Sequence, residues 1–227
     1  MHRNIVLTAA VIAAALGIAV GAAGGNPHGF TARVDNPWFP LKPGTKYEYV
    51  GIKDGRPSRD VVVVTHRVRT IQGAPCVAVS DRLYVEGKLH ERTTDWYTQD
   101  RRGNVWYFGE DTAELDRNGK VTSTEGTWLA GRDGARPGIY MPANPRVGQT
   151  GRQEYYKGHA EDHFRIAAVL ATVTSGTPNS VLTEETTPLE PGVVDNKLYV
   201  RGIGTVTELT VKGGDERNQL ISVTRGA

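Results

Sequence analysis

The sequence of 227 residues has a single cysteine, Cys76. One cysteine excludes an intramolecular disulfide framework and every metal site that is built on several thiolates. Charge of one sign is also missing, because 27 Lys and Arg face 25 Asp and Glu. This balance argues against a disordered chain and against nucleic-acid binding by bulk electrostatics. We therefore expect a globular protein with no nucleic-acid partner.

Signatures of catalysis and of cofactor binding are absent as well. No serine lies in a Gly-x-Ser-x-Gly context, so the nucleophile elbow of a hydrolase is missing. The glycine pair Gly202-x-Gly204 lies inside a strand pattern, and no phosphate loop or dinucleotide fingerprint is present. The sequence thus predicts no cofactor and identifies no catalytic residue, which favours a protein that is not an enzyme without deciding the question.

Long uncharged runs are missing everywhere except at the start of the chain. Arg3 gives residues 1–23 a positive beginning, Ile5 to Ala23 carry no charge, and small residues close the run. This layout predicts a secretory signal peptide and a secreted, periplasmic or cell-envelope location. A retained N-terminal anchor is the alternative, because about 20 apolar residues can span a bilayer. We expect no transmembrane segment once the signal is removed.

The rest of the chain divides into two parts. Residues 24–45 hold four prolines, which predicts an extended lead-in that places its aromatic side chains on the core. Residues 46–227 predict a single, mainly β domain, because side chains alternate with period two between Gly-containing turns. Nine or ten strands in an antiparallel meander should curl into a half-barrel or barrel with at most one or two short helices. Residues 131–152 predict a long loop or an edge excursion. Residues 153–174 are ambiguous, because residues between 157 and 171 tolerate a short helix whereas the β-branched run around Val169–Val173 favours a strand.

Three motifs carry a resemblance to known proteins. The segment Leu198-Tyr199-Val200-Arg201-Gly202-Ile203-Gly204-Thr205-Val206 resembles a signature near the end of several secreted bacterial β-sheet families. Those families are similar to periplasmic lipoprotein carriers, in which a curved antiparallel sheet surrounds an apolar groove. Asn36-Pro37-Trp38-Phe39-Pro40-Leu41 and Asn104-Val105-Trp106-Tyr107-Phe108-Gly109-Glu110 resemble a family of secreted bacterial proteins with no assigned activity. The resemblance implies a fold and a compartment, and it carries over no catalytic residue.

Aromatic side chains supply the first candidate ligand site. Trp96 precedes a turn, and Trp106, Tyr107 and Phe108 follow it. Facing strands would pair these rings, either as part of the core or as the lining of a groove. We predict these four residues as the lining of a ligand site.

Two patterns are weak candidates for a metal site. Residues 114–125 match a twelve-residue calcium loop through Glu114, Asp116, Asn118 and Glu125, although the loop lies between strand patterns and Asn-Gly is also good hairpin chemistry. His159 and His163 have the spacing of a zinc pair on a helix, but they also fit an exposed surface turn.

Acidic residues are the remaining candidates for chemistry. A glycosidase needs two facing carboxyl groups, and the sequence offers several carboxylates without showing which of them face each other: Asp95, Asp100, Glu110, Asp111, Glu154, Glu161 and Asp162.

Together these patterns predict a non-catalytic binding or carrier module for an apolar or amphipathic ligand. A lipid-like or other apolar small molecule is the expected partner, held in an apolar interior of the sheet. The alternatives are an extracellular hydrolase that uses paired carboxylates, and an interaction protein that is stabilised by calcium or another metal.

Overall fold

The computed structural model describes residues 29–171 and 178–226. The predicted signal peptide, its anchor alternative and the first residues of the lead-in lie outside this part of the chain. The described residues form no helix long and apolar enough to span a bilayer.

A single antiparallel sheet of fifteen strands makes up the fold. The strands are β1 (Lys46–Lys53), β2 (Arg56–Ile71), β3 (Ala74–Val85), β4 (Lys88–Gln99), β5 (Val105–Leu115), β6 (Val121–Ser123), β7 (Trp128–Leu129), β8 (Arg136–Met141), β9 (Thr150–Arg152), β10 (Glu154–Tyr155), β11 (His163–Ala171), β12 (Pro178–Thr186), β13 (Val194–Val200), β14 (Gly204–Lys212) and β15 (Arg217–Thr224). The prediction of a mainly β, curved antiparallel meander is confirmed.

The sheet curls until its two edges approach each other. Its strand order is β10-β8-β5-β4-β3-β2-β1-β15-β14-β13-β12-β11-β9, with β6 and β7 paired to β5. The two end strands, β9 and β10, are separated only by Gln153 in the chain. At this seam a Cβ on Gly138 of β8 would come within 2.2 Å of the Arg152 carbonyl oxygen, so only glycine permits the approach. The result is a nearly closed barrel with an interior lumen.

Two expectations about the chain's organisation need correction. The described residues form fifteen strands rather than nine or ten, because several strands of only two or three residues lie in segments whose sequence is typical of loops. Residues 131–152 contain β8 and β9, which provide both sides of the seam. Residues 163–171 are strand β11, and the preceding residues 157–159 form a turn. The β-branched and aromatic content of β11 therefore prevails over the helix-compatible residues before it.

Tight turns hold the meander in register. Asp54 and Gly55 join β1 to β2 with φ values of 51° and 69°, and Glu86 and Gly87 join β3 to β4 with φ values of 50° and 76°. Such left-handed pairs match the twist of neighbouring strands. A bulge between Val64 and Val68 shifts the register of β2 on β3. Because of this shift Val64 is fully buried, whereas Val68 is 57% exposed.

The proline-rich lead-in closes one end of the barrel. Asn36 anchors it, because its Nδ2 donates to the Gly103 carbonyl oxygen at 2.8 Å and its Oδ1 accepts from the Trp38 amide at 2.8 Å. The Gly202 amide donates to the Pro37 carbonyl oxygen at 2.7 Å. The three motifs that carry the family resemblance thus meet at this end. Trp38 of this segment is only 3% exposed and packs in the hydrophobic core.

Replacing Trp38 with alanine tests the contribution of this closure. The indole is buried and lies 4.7 Å from the Arg201 guanidinium, so the substitution should lower the free energy of unfolding by about 3–5 kcal/mol. Urea denaturation measures the change. Val147→Ala, at a side chain that is 64% exposed, should change it by less than about 0.5 kcal/mol. Equal effects of the two substitutions would show that the lead-in does not stabilise the barrel.

Candidate functional site

The closed end of the lumen is aromatic. Phe39 from the lead-in lies 4.6 Å from the Tyr140 ring and 5.4 Å from the Tyr97 ring, measured between centroids. Tyr97 also stacks on Tyr107 at 4.8 Å. A cavity of about 130 Å³ opens beside these rings and continues along Tyr49 of β1. This end offers a ligand an apolar and polarisable wall.

The same cavity carries acidic side chains on its other walls. Asp60 lies on β2, Asp81 on β3, Asp95 on β4 and Glu208 on β14, and all four line the cavity. The strand register explains the placement, because Val62 pairs with Asp81 and Val79 pairs with Asp95. Side chains of directly paired residues lie on the same face of a sheet. The interior is therefore not uniformly apolar, which corrects the expectation from the sequence.

Asp60 and Asp81 interact directly. Their carboxyl groups share a hydrogen bond, and burial raises the pKa of each, most strongly for Asp81. The negative charge of Asp60 raises the pKa of Asp81 further. The pair therefore retains a proton to a higher pH than free carboxyl groups do.

Asp95 and Glu154 are also poised to hold protons near neutral pH. Burial and the charge of Asp81 raise the pKa of Asp95 to about 7, although the Tyr107 hydroxyl donates to Asp95 Oδ1 at 2.6 Å and opposes the rise. Burial and the charge of Asp162 raise the pKa of Glu154 to about 8. Raised pKa values of grouped carboxyl groups mark a site where negative charge lacks compensation.

Lys197 of β13 provides the main cationic group of the lumen. Its Nζ lies 3.0 Å from Glu185 Oε2 and 3.2 Å from Glu208 Oε1. Burial acts to lower the pKa of Lys197, but the charges of these two carboxylates raise it well above its usual value. The lysine is therefore a permanent cation that is already engaged by two partners.

Two wider cavities join the aromatic one at Glu208, which lines all three. Their volumes are about 370 and 600 Å³, within the range of small-molecule sites. Thirteen of the 25 Asp and Glu line the three cavities: Asp60, Asp81, Glu91, Asp95, Glu114, Glu125, Glu154, Asp162, Glu185, Glu190, Asp195, Glu208 and Glu216. Among the Lys and Arg of the described residues, only Lys53, Lys197 and Arg217 do so. A nearly neutral chain thus encloses a strongly acidic lumen.

The four aromatic residues proposed from the sequence lie on two faces of the sheet. Tyr107 faces inward, where it stacks on Tyr97. Trp106 and Phe108 lie on the opposite face of β5, and the Phe30 ring contacts both at 5.8 and 5.3 Å. Trp96 alternates with the inward Asp95 and Tyr97 and lies 4.5 Å from the Arg69 guanidinium. Of the four, Tyr107 alone adjoins the cavity lining.

The proposed calcium loop forms the hairpin between β5 and β6. Asp116 Oδ1 accepts from the Asn118 and Lys120 amides at 2.8 and 3.0 Å, which is turn chemistry. Glu114 and Glu125 instead line the widest cavity. Within residues 29–171 and 178–226, no group of three or more His, Cys, Asp and Glu side chains is arranged to hold a metal ion.

The two histidines of the proposed zinc pair do not meet. His159 lies in the turn before β11, and its Nδ1 is 2.9 Å from Glu125 Oε1 at the rim of the widest cavity. His163 begins β11 and its Nε2 accepts from Arg152 Nε at 3.2 Å. No helix joins them in the described residues, so their four-residue spacing does not place the two side chains on one face.

The acidic candidates from the sequence also separate into two groups. Asp95, Glu110, Glu154 and Asp162 are grouped in the interior, where burial raises their pKa values and the charges of Asp95 and Asp162 further raise those of Glu110 and Glu154. The other three lie outside this group. Asp100 caps a turn and accepts a hydrogen bond from the Trp106 indole nitrogen at 2.9 Å. Asp111 is exposed on the outer face of β5, and Glu161 accepts a hydrogen bond from the Gly158 amide at 2.8 Å.

Sequence reasoning missed Asp60, Asp81, Lys197 and Glu208. A signal for the two aspartates was present, since Asp60 shares its strand parity with Val62 and Val64, and Asp81 shares its parity with Val77 and Val79. A charged residue in the inward register of an apolar strand is buried by alternation.

Comparisons with known proteins identify structural neighbours but no family. No protein-family model and no curated protein matches the sequence. A protein of Bacteroides fragilis, described as exported and as having a YmcC-like fold, is 14% identical with a TM-score of 0.44. A Parabacteroides distasonis protein described as a lipoprotein is 11% identical with a TM-score of 0.42. Each alignment covers 83% of this chain and 99% of the neighbour.

The raised pKa of Asp95 predicts a pH dependence of stability. An aspartate has a pKa of about 3.9 in the unfolded chain, whereas that of Asp95 is about 7 in the folded protein. The folded state therefore binds the extra proton, and the free energy of unfolding falls as the pH rises through this interval. Asp95→Asn, which stays neutral, should reduce the fall between about pH 5 and pH 8 by on the order of 2 kcal/mol.

Urea denaturation at the two pH values measures this fall. Asp111→Asn is the matched control, because Asp111 is exposed on the outer face of β5 and should leave the pH dependence unchanged. An Asp95→Asn protein with the pH dependence of the wild type would show that Asp95 does not hold the proton.

Proposed function

We propose that this protein is an exported, non-catalytic binding or carrier module for an amphipathic small molecule, with its site in the lumen of the barrel. The observation that carries the proposal is the mixed lining of one cavity. Tyr49, Tyr97 and Tyr140 line it together with Asp60 and Glu208. A ligand with one apolar and one polar end can contact both kinds of side chain.

A wholly apolar ligand fits this lining less well. It would separate Asp60, Asp81, Asp95 and Glu208 from water without offering them hydrogen bonds, and unpaired buried polar groups cost free energy. Of the two ligand types expected from the sequence, the amphipathic one is therefore favoured. Export is supported by the charged start, apolar middle and small-residue end of residues 1–23.

Binding of N-phenyl-1-naphthylamine tests the proposal, because this uncharged aromatic probe with a single N–H donor fluoresces strongly in apolar sites and therefore reports on the aromatic part of the cavity. Ile203 is a partly buried loop residue that lines the aromatic cavity. Ile203→Trp should fill this cavity and weaken probe binding at least about tenfold, a difference of about 1.4 kcal/mol.

Ile221→Trp is the control for this experiment, since Ile221 is 56% exposed on the barrel exterior. It should leave the affinity for the probe unchanged, and thermal melting should show that both variants are folded. A wild-type protein that does not bind the probe, or equal binding by the two variants, would contradict a ligand site in the lumen.

A hydrolase is the second candidate, favoured by the hydrogen-bonded pair of Asp60 and Asp81 with Asp95 nearby. One carboxylate of such a pair can activate water while the other donates a proton. A pair in hydrogen-bond contact is closer than the roughly 5–10 Å of glycosidase carboxyl groups, which points away from glycosides. Hydrolysis of p-nitrophenyl esters that is lost in Asp81→Asn but retained in Asp111→Asn would establish this activity; no hydrolysis by the wild type would exclude it for esters.

A further inference from the structure

The charge distribution of the lumen bears on the chemistry of the ligand's polar end. Thirteen carboxyl groups line the three cavities, against three Lys or Arg. Lys197 is already engaged by Glu185 and Glu208, and Lys53 by Glu216. Arg217 lines the cavity of about 370 Å³, but within the described residues no Lys or Arg forms an ion pair with Asp60. An anionic ligand would add to this excess, whereas a cationic ligand would reduce it.

Unpartnered oxygen atoms lie at the junction of the acidic walls. Ser58 is only 7% exposed, lines the cavity of about 370 Å³, and its hydroxyl oxygen has no hydrogen-bond partner among the described residues. Asp60 Oδ1 and Asn218 Oδ1 are likewise buried and unpartnered within the part of the chain that the structure describes. Buried polar atoms are normally satisfied, so three vacant oxygens together indicate a ligand that donates hydrogen bonds.

The strand register brings the side chains that carry these oxygens onto neighbouring strands. Gly51 of β1 pairs with Ser58 on one side and with Asn218 on the other. Because Gly51 has no side chain, Asn218 Oδ1 can lie over it, 2.6 Å from where a Cβ would be. Asp60 is two residues from Ser58 on the same face of β2, and Glu208 pairs directly with Asn218.

This arrangement adjoins the aromatic wall. Asp60, Asn218 and Glu208 line the same cavity as Tyr49, Tyr97 and Tyr140. A group held at the oxygens would therefore direct an attached apolar chain along the tyrosines. Carboxylates with neighbouring tyrosine rings are also a favourable environment for an alkylammonium group, which interacts with both.

We propose that the polar end of the ligand is a protonated amine, bound by Asp60, Glu208, Asn218 and Ser58, with its hydrocarbon portion on the tyrosine wall. The inference rests on the proposed function and specifies its ligand class as an amphipathic amine. The ammonium group supplies a positive charge for the two carboxylates and N–H donors that the unpartnered oxygens of Ser58, Asp60 and Asn218 can accept.

Isothermal titration calorimetry with octylamine, octanol and octanoate tests the inference, because the three ligands differ only in the polar end. At about pH 8.5 the amine is still protonated, as a lysine side chain would be. We expect octylamine to bind at least about tenfold more tightly than octanol, and octanoate to bind most weakly. Equal affinities for octylamine and octanol would overturn the inference while leaving the proposed function intact. Failure of all three to bind would overturn both.

Variants locate the amine. Asp60→Asn keeps the shape of the side chain and removes its charge, so it should weaken octylamine binding about tenfold and leave octanol binding unchanged. Asp111→Asn removes the same charge from the barrel exterior and should affect neither ligand. Glu208→Gln replaces Asp60→Asn if that variant does not fold. If Asp60→Asn, or Glu208→Gln in its place, binds octylamine as tightly as Asp111→Asn does, the amine binds elsewhere and the proposed amine site is overturned.

Discussion

The closure of one continuous antiparallel sheet is the constraint on which the rest of the structure depends. Side chains of a strand alternate between its two faces, and a sheet that curls until its edges meet turns one face into an interior. Every inward position is then shielded from water, whatever residue occupies it. The same geometry buries Val79 and half-buries Asp81, although only the valine gains free energy from burial.

The acidic lumen follows from this constraint and has a cost. Carboxyl groups that are held close together in a shielded space repel one another when ionised. The chain relieves part of the repulsion through Lys197, whose Nζ lies between Glu185 and Glu208. It relieves another part by retaining protons, as the hydrogen bond between Asp60 and Asp81 and the raised pKa of Asp95 indicate. Natural proteins keep such unfavourable groups mainly where function requires them.

At the closed end of the barrel, aromatic side chains rather than carboxyl groups fill the interior. The lead-in lacks a regular strand because of its prolines, yet Asn36 fixes it through hydrogen bonds to Gly103 and Trp38. Phe39 then extends the aromatic cluster of the lumen. The barrel thus combines an aromatic closed end with acidic interior positions, and the proposed ligand site lies where the two meet.

Local sequence determined much of this architecture. Period-two alternation between Gly-containing turns predicted the antiparallel meander, because these features depend on neighbouring residues only. Strand β4 and the turns at Asp54-Gly55 and Glu86-Gly87 show this local control in the structure. The bulge that exposes Val68 and the short strands β8 and β9 were not predictable, since they depend on partners far along the chain. For the same reason the sequence offered Trp96, Trp106, Tyr107 and Phe108 as one group, although they divide between two faces. Which carboxyl groups meet was decided only by tertiary structure, because strand register brings Asp60 of β2 and Glu208 of β14 to one cavity from positions far apart in the sequence.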